Sequence, residues 1–247
     1  MVTRDITAEN REILSALGYK LIDIDEYVPT NYQNTLNNSQ INDQELSLHG
    51  GAHQDNGWRH AYSKLMIWNL TQFDKLCWLD LDIMVWHNID DVFDYPATCW
   101  LEGDRNKYIY SQLMLVEPNK EIFKLLIDYC NNFDKTDKEY ILYTDEMVLA
   151  NFFEHSRKNA VKTIPLTYCY QLNQTDTVVS PIIRDFPHIR AVHLSVQQKP
   201  WIYGKKWVEN FNIEWYISRF MWIYYIDILN EGIEELNEKG FYIQKVD

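Results

Sequence analysis

The sequence predicts an α/β fold with a mainly parallel central sheet flanked by helices. Short apolar segments, such as residues 76–79 and 113–116, have the length and composition of buried strands. Other segments show helical periodicity, and 121–131 is the clearest of them because its apolar residues recur on one side. Strands that alternate with helices along a chain are typical of a parallel sheet covered by helices.

The predicted elements follow one another at ordinary spacing. Residues 8–17 are predicted to form a helix that Gly18 ends, and residues 19–24 a strand. Residues 29–57 are polar and rich in Asn and Gln, which predicts a long surface loop. The later predictions are a helix at 60–70, strands at 76–79, 83–85 and 113–116, helices at 121–131 and 144–153, a strand at 191–194 and a helix at 215–238.

The composition indicates a folded protein of one large domain or two small ones. The chain has 247 residues, of which 46% are hydrophobic, so it can bury a sizeable core. Its net charge of -13 argues against nucleic acid and anionic membranes as general partners. The 4 cysteines lie far apart, which indicates reduced thiols and a cytoplasmic location. We expect neither a signal peptide nor a transmembrane segment.

Two acidic residues, Asp80 and Asp82, lie between the apolar segments 76–79 and 83–85. An ionised carboxylate is costly in an apolar site, so we expect both acids where the strand emerges. Residues two apart in an extended segment point the same way, and two converging carboxylates suit Mn²⁺ or Mg²⁺. Such an ion can hold and neutralise a diphosphate. The Asp-x-Asp pattern is common, and a strand-end turn or a helix cap is the alternative.

Several segments, taken in order, resemble the glycogenin-like retaining glycosyltransferases, which are glycosyltransferase family 8. Segment 79–85 is similar to the metal motif of that family. Segment 193–201 looks like its pattern His-x-x-Gly-x-x-Lys-Pro-Trp. The other matching segments are 62–73, 88–93, 111–119 and 144–146.

The resemblance covers most of residues 1–205 and implies a GT-A fold with a Rossmann-like sheet. Residues 1–205 would form the glycosyltransferase domain, and 206–247 a C-terminal helical extension of it. Residues 2–11 resemble the second strand of the family and the helix after it, which implies that the usual first strand is lacking. In the family that strand begins the nucleotide site. The chain is then shortened, or another segment supplies this wall, or the nucleotide is held weakly.

The resemblance also implies a metal site. Asp80 and Asp82 would bind Mn²⁺ or Mg²⁺, and His193 would complete the protein ligands, a combination that the chemistry of these ions permits. The structural alternative for His193 is a histidine at a strand end whose hydrogen bonds are satisfied by its neighbours.

The nucleotide-sugar contacts follow from the same resemblance. Lys64, Ser111 and Lys199 would contact the donor together with the metal ligand Asp80. Lys199 would stabilise the departing diphosphate as a point charge, and Asp145 would lie near the transferred sugar. The alternatives are exposed lysines and a helix N-terminal acid that complements the helix dipole.

Four residues depart from the family pattern. Tyr110 and Gln112 flank Ser111 where the family usually has Asn and Gly beside the sugar. Glu146 replaces a Gln and adds a negative charge near the sugar or the metal. Val196 stands where the family has a Gly, which permits a close approach of the backbone.

The expected function is metal-dependent transfer of a sugar, with retention, from a UDP-sugar to an acceptor that is a glycan, a protein or a small molecule. The alternative is a GT-A-like module that binds nucleotide, sugar or a partner without turnover. A nucleotide hydrolase is disfavoured because no P-loop pattern is present. For the aromatic segment 215–238, packing on the domain, a homodimer contact and a membrane-surface contact remain open.

Overall fold

The computed structural model describes residues 1–27, 29, 61–102, 109–132, 145–156, 162–171, 186–194, 199–203 and 215–245. Contacts divide the chain into two compact units. The first unit comprises residues 1–26, 173–183 and 196–247, and the second comprises 27–172 and 184–195. The proposed domain boundary at residue 205 stays a prediction.

The strands of the described ranges form two sheets, both in the second unit. One sheet has the order β1-β4-β3-β5 and the other the order β2-β7-β6. The strands are β1 (Leu76–Leu79), β2 (Ile83–Val85), β3 (Cys99–Glu102), β4 (Ile109–Val116), β5 (Lys162–Ile164), β6 (Tyr170–Gln171) and β7 (Ala191–His193).

The predicted α/β class is confirmed, but the described strands form mixed rather than mainly parallel sheets. β4 pairs antiparallel with both β1 and β3, and β2 pairs antiparallel with β7. The pairs β3–β5 and β6–β7 are parallel. The physical reason is clearest for β3 and β4, since the connection between Glu102 and Ile109 is too short for the crossover that a parallel pair needs.

Helices with a clear apolar periodicity agree with the sequence predictions to within a few residues. The first ends at Ala16, and Gly18 follows with a φ of 88°, a conformation that glycine adopts at little cost. The α-helices are Ala8–Ala16, Lys120–Asn132, Asp145–Ser156, Pro200–Tyr203 and Trp215–Glu238. The 3₁₀ helices are Tyr62–Asn69, Asp90–Asp94, Leu166–Tyr168 and Phe186–His188.

The helix predicted at 60–70 is a 3₁₀ helix in its described part, Tyr62–Asn69. Tyr62, Leu65 and Trp68 are all buried and recur every three residues. A three-residue repeat matches the period of a 3₁₀ helix, in which side chains at i and i+3 lie above one another. The spacing of these three side chains is therefore compatible with 3₁₀ geometry, although Lys64 and Ile67 are buried as well.

The strand predicted at 19–24 is reduced to a single parallel bridge between Val2 and Asp23. The Val2 N–H donates to the Ile22 carbonyl at 2.9 Å, and the Ile24 N–H donates to the Val2 carbonyl at 3.0 Å. Segment 19–24 is apolar enough for a strand, but Val2 alone pairs with it in the described ranges. The loop predicted at 29–57 lies outside the described residues except for Pro29.

β4 is the central strand of the core in the second unit. Met114 and Val116 pack into one buried cluster, which includes Trp100 and Phe153 with ring centroids 4.8 Å apart. Leu113 and Leu115 pack into a second cluster on the other face of the sheet. Both faces of β4 are therefore covered, and each fully buried leucine contributes about 1.5–3 kcal/mol of hydrophobic stabilisation.

The C-terminal helix Trp215–Glu238 lies in the first unit, and its described side chains form a buried side and an exposed side. Trp222, Ile233 and Leu236 are buried, whereas Ile223 and Ile228 are 49% and 42% exposed. The described part of this helix is therefore amphipathic. None of the helices in the described ranges combines the length and apolarity needed to cross a membrane.

Candidate metal and nucleotide-sugar site

A tight turn between β1 and β2 positions the two acids of the Asp-x-Asp motif. The Asp80 carbonyl accepts the Ile83 N–H at 3.2 Å, and the Asp80 N–H donates to the Gln112 carbonyl of β4 at 3.0 Å. Leu81, at the tip, is fully exposed. The turn, rather than an extended strand, therefore directs Asp80 and Asp82 to the same side.

His193, the last residue of β7, lies beside both acids. β7 pairs with β2 so that His193 is opposite Ile83, directly after the turn. The Nε2 atom of His193 lies 3.0 Å from Oδ1 of Asp82 and 4.0 Å from Oδ2 of Asp80. The Leu194 N–H donates to the Asp82 carbonyl at 2.8 Å, which fixes the turn against β7. The structure therefore brings together the three residues to which the resemblance assigns a metal.

The geometry of these three residues fits a divalent cation. One ligand atom from each of Asp80, Asp82 and His193 lies within 4.8 Å of the others. The imidazole presents Nε2 to the carboxylates, while its Nδ1 is buried and has no hydrogen-bond partner among the described residues. Two carboxylate oxygens and one imidazole nitrogen form a donor set that suits Mn²⁺ well and is compatible with Mg²⁺.

Lys64 is a buried cation that links Asp80 to Asp145. Its Nζ lies 2.6 Å from Oδ2 of Asp145 and 3.1 Å from Oδ1 of Asp80, and it donates to Oγ of Ser111 at 3.0 Å. These partners match the three hydrogens of an ammonium group. Burial by itself lowers the pKa of Lys64, but the charges of Asp145 and Asp80 outweigh it and raise the pKa above its ordinary range. Lys64 is therefore a charged, buried residue and not an exposed helix lysine.

Asp145 and Glu146, the first residues of the helix Asp145–Ser156, both bond to Ser111. The Ser111 hydroxyl donates to Oδ2 of Asp145 at 3.2 Å, and the Ser111 N–H donates to Oε1 of Glu146 at 3.0 Å. Asp145 is only 3% exposed. Burial and the charge of Asp145 raise the pKa of Glu146 to about 7. β4 therefore holds a pair of adjacent carboxylates at the start of this helix.

The cluster has more acidic than basic groups. Burial raises the pKa of Asp80, although Lys64 and a hydrogen bond from the Trp78 indole at 2.6 Å oppose this shift. Among the described residues of the cluster, there are four carboxylates and one ammonium group, that of Lys64. The carboxylates are those of Asp80, Asp82, Asp145 and Glu146. Such an excess of negative charge favours the binding of a cation.

Sequence reasoning missed two side chains that border this site. Trp78 precedes Asp80 by two residues, and this spacing along β1 was an available signal. Gln171 pairs with His193 across β6 and β7 and accepts a hydrogen bond from Nε2 of Gln112 at 3.5 Å. No local pattern indicates Gln171, since a distant strand brings it to the site.

The other residues that the resemblance singles out are Lys199, Val196 and Tyr110. Lys199 belongs to the first unit, where its Nζ lies 5.7 Å from the centre of the Trp201 ring, and its contact with a diphosphate stays a prediction. Val196 lies outside the described residues, and Tyr110 is partly buried on β4.

A cavity of about 430 Å³ lies at the end of β1 and β4 opposite to Asp80 and takes no part in this site. β1 and β4 are antiparallel, with Leu76 opposite Val116, so residues just after β4 lie far along the strands from Asp80. The lining residues are Thr71, Phe73, Asp74, Ala97, Thr98, Glu117, Pro118, Asn119, Ile122 and Phe153.

The curated relatives in sequence include glycosyltransferases, although no family model matches the chain. The putative UDP-glucuronate:xylan alpha-glucuronosyltransferase 3 of Arabidopsis thaliana is 37% identical over 76 residues, 31% of this chain and 12% of that protein. Glycogenin-2 of Homo sapiens is 28% identical over 149 residues, 57% of this chain and 28% of that protein. The chain thus spans a small part of the length of these relatives.

A solved structure shares the fold. The galactosyltransferase LgtC, determined in complex with donor and acceptor sugar analogues, matches with a TM-score of 0.51 at 16% identity, over 79% of this chain and 75% of that chain. At this identity the match establishes the fold alone. The relatives in sequence and the shared fold together confirm that this chain resembles the glycogenin-like glycosyltransferases and has a GT-A fold.

Proposed function

We propose that this chain is a metal-dependent glycosyltransferase that moves a sugar from a UDP-sugar to an acceptor with retention of configuration. The main support is one continuous cluster, in which Asp80, Asp82 and His193 can hold a cation while Lys64 joins Asp80 to Asp145. The glycosyltransferases among its relatives in sequence give independent support.

The metal ligands would act on the donor diphosphate. Asp80, Asp82 and Nε2 of His193 would hold Mn²⁺ or Mg²⁺, which when bound neutralises the diphosphate and favours its departure. Lys199 would add a positive charge to the leaving diphosphate, an assignment that rests on the resemblance of segment 193–201.

The other residues of the cluster would position the sugar. The ammonium group of Lys64 contacts both Asp80 and Asp145. A sugar attached to a diphosphate at Asp80 would therefore lie beside Asp145. The Asp145 carboxylate can accept a hydrogen bond from a sugar hydroxyl, and Ser111 fixes its orientation. Because Lys64 and Ser111 are already bonded, they would orient Asp145 without further reorganisation.

A binding module without turnover is the second candidate, and Gln112 favours it. Gln112 is 1% exposed and follows Ser111 on β4, its Nε2 donates to Oε1 of Gln171 at 3.5 Å, and its Oε1 atom has no hydrogen-bond partner among the described residues. A large side chain at this place can obstruct the sugar while leaving the metal ligands intact.

Turnover distinguishes the two candidates. We expect the wild-type protein to hydrolyse or transfer from a UDP-sugar in the presence of Mn²⁺, and Asp82→Ala to lower kcat/KM by more than about 100-fold, beyond the effect of residues that merely orient metal ligands. Asp94→Ala, an exposed acid in the helix Asp90–Asp94, is the matched control and should retain full activity. Equal activity of wild type and Asp82→Ala would refute the metal assignment, and UDP binding without turnover would support the binding module.

A further inference from the structure

We propose that Glu146 makes this site select a neutral transferred sugar and discriminate against a uronic acid. This inference rests on the proposed function, because it places the sugar of a UDP-sugar beside Asp145 and Glu146. It concerns the charge of the sugar, which the proposed function leaves open.

The positive charge of Lys64 is already shared among protein groups. Asp145 lies 2.6 Å and Asp80 3.1 Å from its Nζ, and Ser111 accepts a further hydrogen bond at 3.0 Å. With all three hydrogens engaged, Lys64 has none to donate to a carboxylate on a substrate. A uronic acid would therefore find no available ammonium partner at Lys64.

Glu146 forms no direct ion pair among the described residues, although the charge of Lys64 acts on it and opposes the rise of its pKa. Its Oε1 accepts the Ser111 N–H at 3.0 Å, and within the described ranges no ammonium or guanidinium group forms an ion pair with it. A cation held by Asp80, Asp82 and His193 would be compensated by its own carboxylates and by the diphosphate. Above its pKa of about 7, and so at pH 8, Glu146 therefore adds a negative charge that the proposed metal does not neutralise.

The negative charge of Glu146 lies next to the proposed position of the sugar. Asp145 shares Lys64 with the metal ligand Asp80, and Ser111 bonds to both Asp145 and Glu146. A sugar next to Asp145 therefore lies next to Glu146 as well. A carboxylate on that sugar would face two fixed carboxylates in a partly buried site, where repulsion between like charges is stronger than in water.

One relative of this chain is named for a donor with a charged sugar. The Arabidopsis thaliana protein that matches 31% of this chain is described as acting on UDP-glucuronate. Similarity over that segment does not determine the charge of the donor sugar here, because the discrimination would depend on the local environment of Glu146.

The test is a calorimetric titration at pH 8 with Mn²⁺, using UDP, UDP-glucose and UDP-glucuronate. We expect the wild-type protein to bind UDP-glucose at least about tenfold more tightly than UDP-glucuronate, a conservative estimate for repulsion between nearby charges. In Glu146→Gln this ratio should fall below about threefold, since the amide oxygen can still accept the Ser111 N–H without its charge. Glu121→Gln, an exposed residue of the helix Lys120–Asn132, should keep the wild-type ratio.

The three ligands separate the possible failures. Absence of UDP binding would overturn the proposed function and this inference with it. Binding of UDP together with equal or tighter binding of UDP-glucuronate than of UDP-glucose would overturn the inference alone. A preference for UDP-glucose that persists in Glu146→Gln would overturn the assignment of the discrimination to Glu146.

Discussion

Lys64 contributes to the stability of the fold as well as to the candidate site, because its charge compensates two partly or fully buried acids. Its side chain is 7% exposed, compared with 4% for Asp145 and 23% for Asp80. Removing one partner of a buried ion pair leaves the other charge uncompensated, which costs more than the pair itself contributes. The cluster that would hold the donor is therefore also a point where a single substitution affects folding.

Replacing Lys64 with Met tests this consequence. We expect Lys64→Met to lower the free energy of unfolding by about 3–5 kcal/mol at pH 7, since the side chain keeps its length and loses its charge. Denaturant unfolding followed by circular dichroism measures the change. Lys124→Met is the control, because Lys124 forms an exposed pair with Glu121 and should change stability by less than about 1 kcal/mol. A Lys64→Met protein as stable as the control would contradict the account of this cluster.

The raised pKa of Glu146 makes the free energy of unfolding depend on pH. Its pKa is raised from 4.5 to about 7 by burial and by the charge of Asp145, with Lys64 acting in the opposite direction. Between these values the folded protein holds a proton that the unfolded chain has lost, so this group makes stability fall as the pH rises through the window. The loss should be complete above about pH 7.

Comparing wild type with Glu146→Gln at pH 5 and pH 7.5 isolates this effect. Relative to the variant, the wild-type protein should lose roughly 2–4 kcal/mol of unfolding free energy between the two pH values. Titrating groups that do not interact with Glu146 cancel in the difference between the two proteins. Parallel stability curves for the two proteins would show that Glu146 is not perturbed.

At the level of secondary structure, the sequence predicted elements best where one local pattern determines them. The helix Lys120–Asn132 has a strong apolar periodicity, and β1 is a short apolar run. β3, β5 and β6 were not predicted, because long-range pairing with other strands defines them. The 3₁₀ geometry of Tyr62–Asn69 has no clear signal in the sequence, since its large apolar residues include the continuous run 65–68.

The same distinction applies to the candidate site. Asp80 and Asp82 were identified from a local motif, and His193 from a resemblance that covers several segments. The contact between Lys64 and Asp145 could not be predicted from spacing, since it depends on packing between a 3₁₀ helix and a distant helix. Sequence patterns thus indicate the three candidate metal ligands. Only the fold shows that Lys64 connects one of them, Asp80, to Asp145.

β4 links the core to the site, because Gln112 and Ser111 bond to the site while Leu113 and Leu115 are fully buried. We expect Leu115→Ala to cost about 2–5 kcal/mol of unfolding free energy, owing to lost burial and the cavity that remains. Leu81→Ala provides the same substitution at a fully exposed position and should change stability by less than about 0.5 kcal/mol. Thermal and denaturant unfolding measure both variants, and equal effects would contradict the assigned burial.

For the whole molecule, the net charge and composition argue against nucleic acid and anionic membranes as general partners but do not identify the partner. The net charge of -13 is consistent with a protein that binds a phosphorylated ligand through a metal ion rather than through a basic surface. A homodimer and a cytoplasmic location stay predictions. The chain matches 12% and 28% of the length of two relatives, so their acceptors do not transfer to it directly.

The most direct test of the metal-held diphosphate is a calorimetric titration of UDP with and without Mn²⁺, in wild type and in Asp82→Ala. We predict that the wild-type protein binds UDP at least about tenfold more tightly with Mn²⁺ than after chelation, and that Asp82→Ala loses this difference. The Asp94→Ala control should behave as wild type. Binding of UDP that is equally tight without the metal, or equally metal-dependent in Asp82→Ala, would contradict the account.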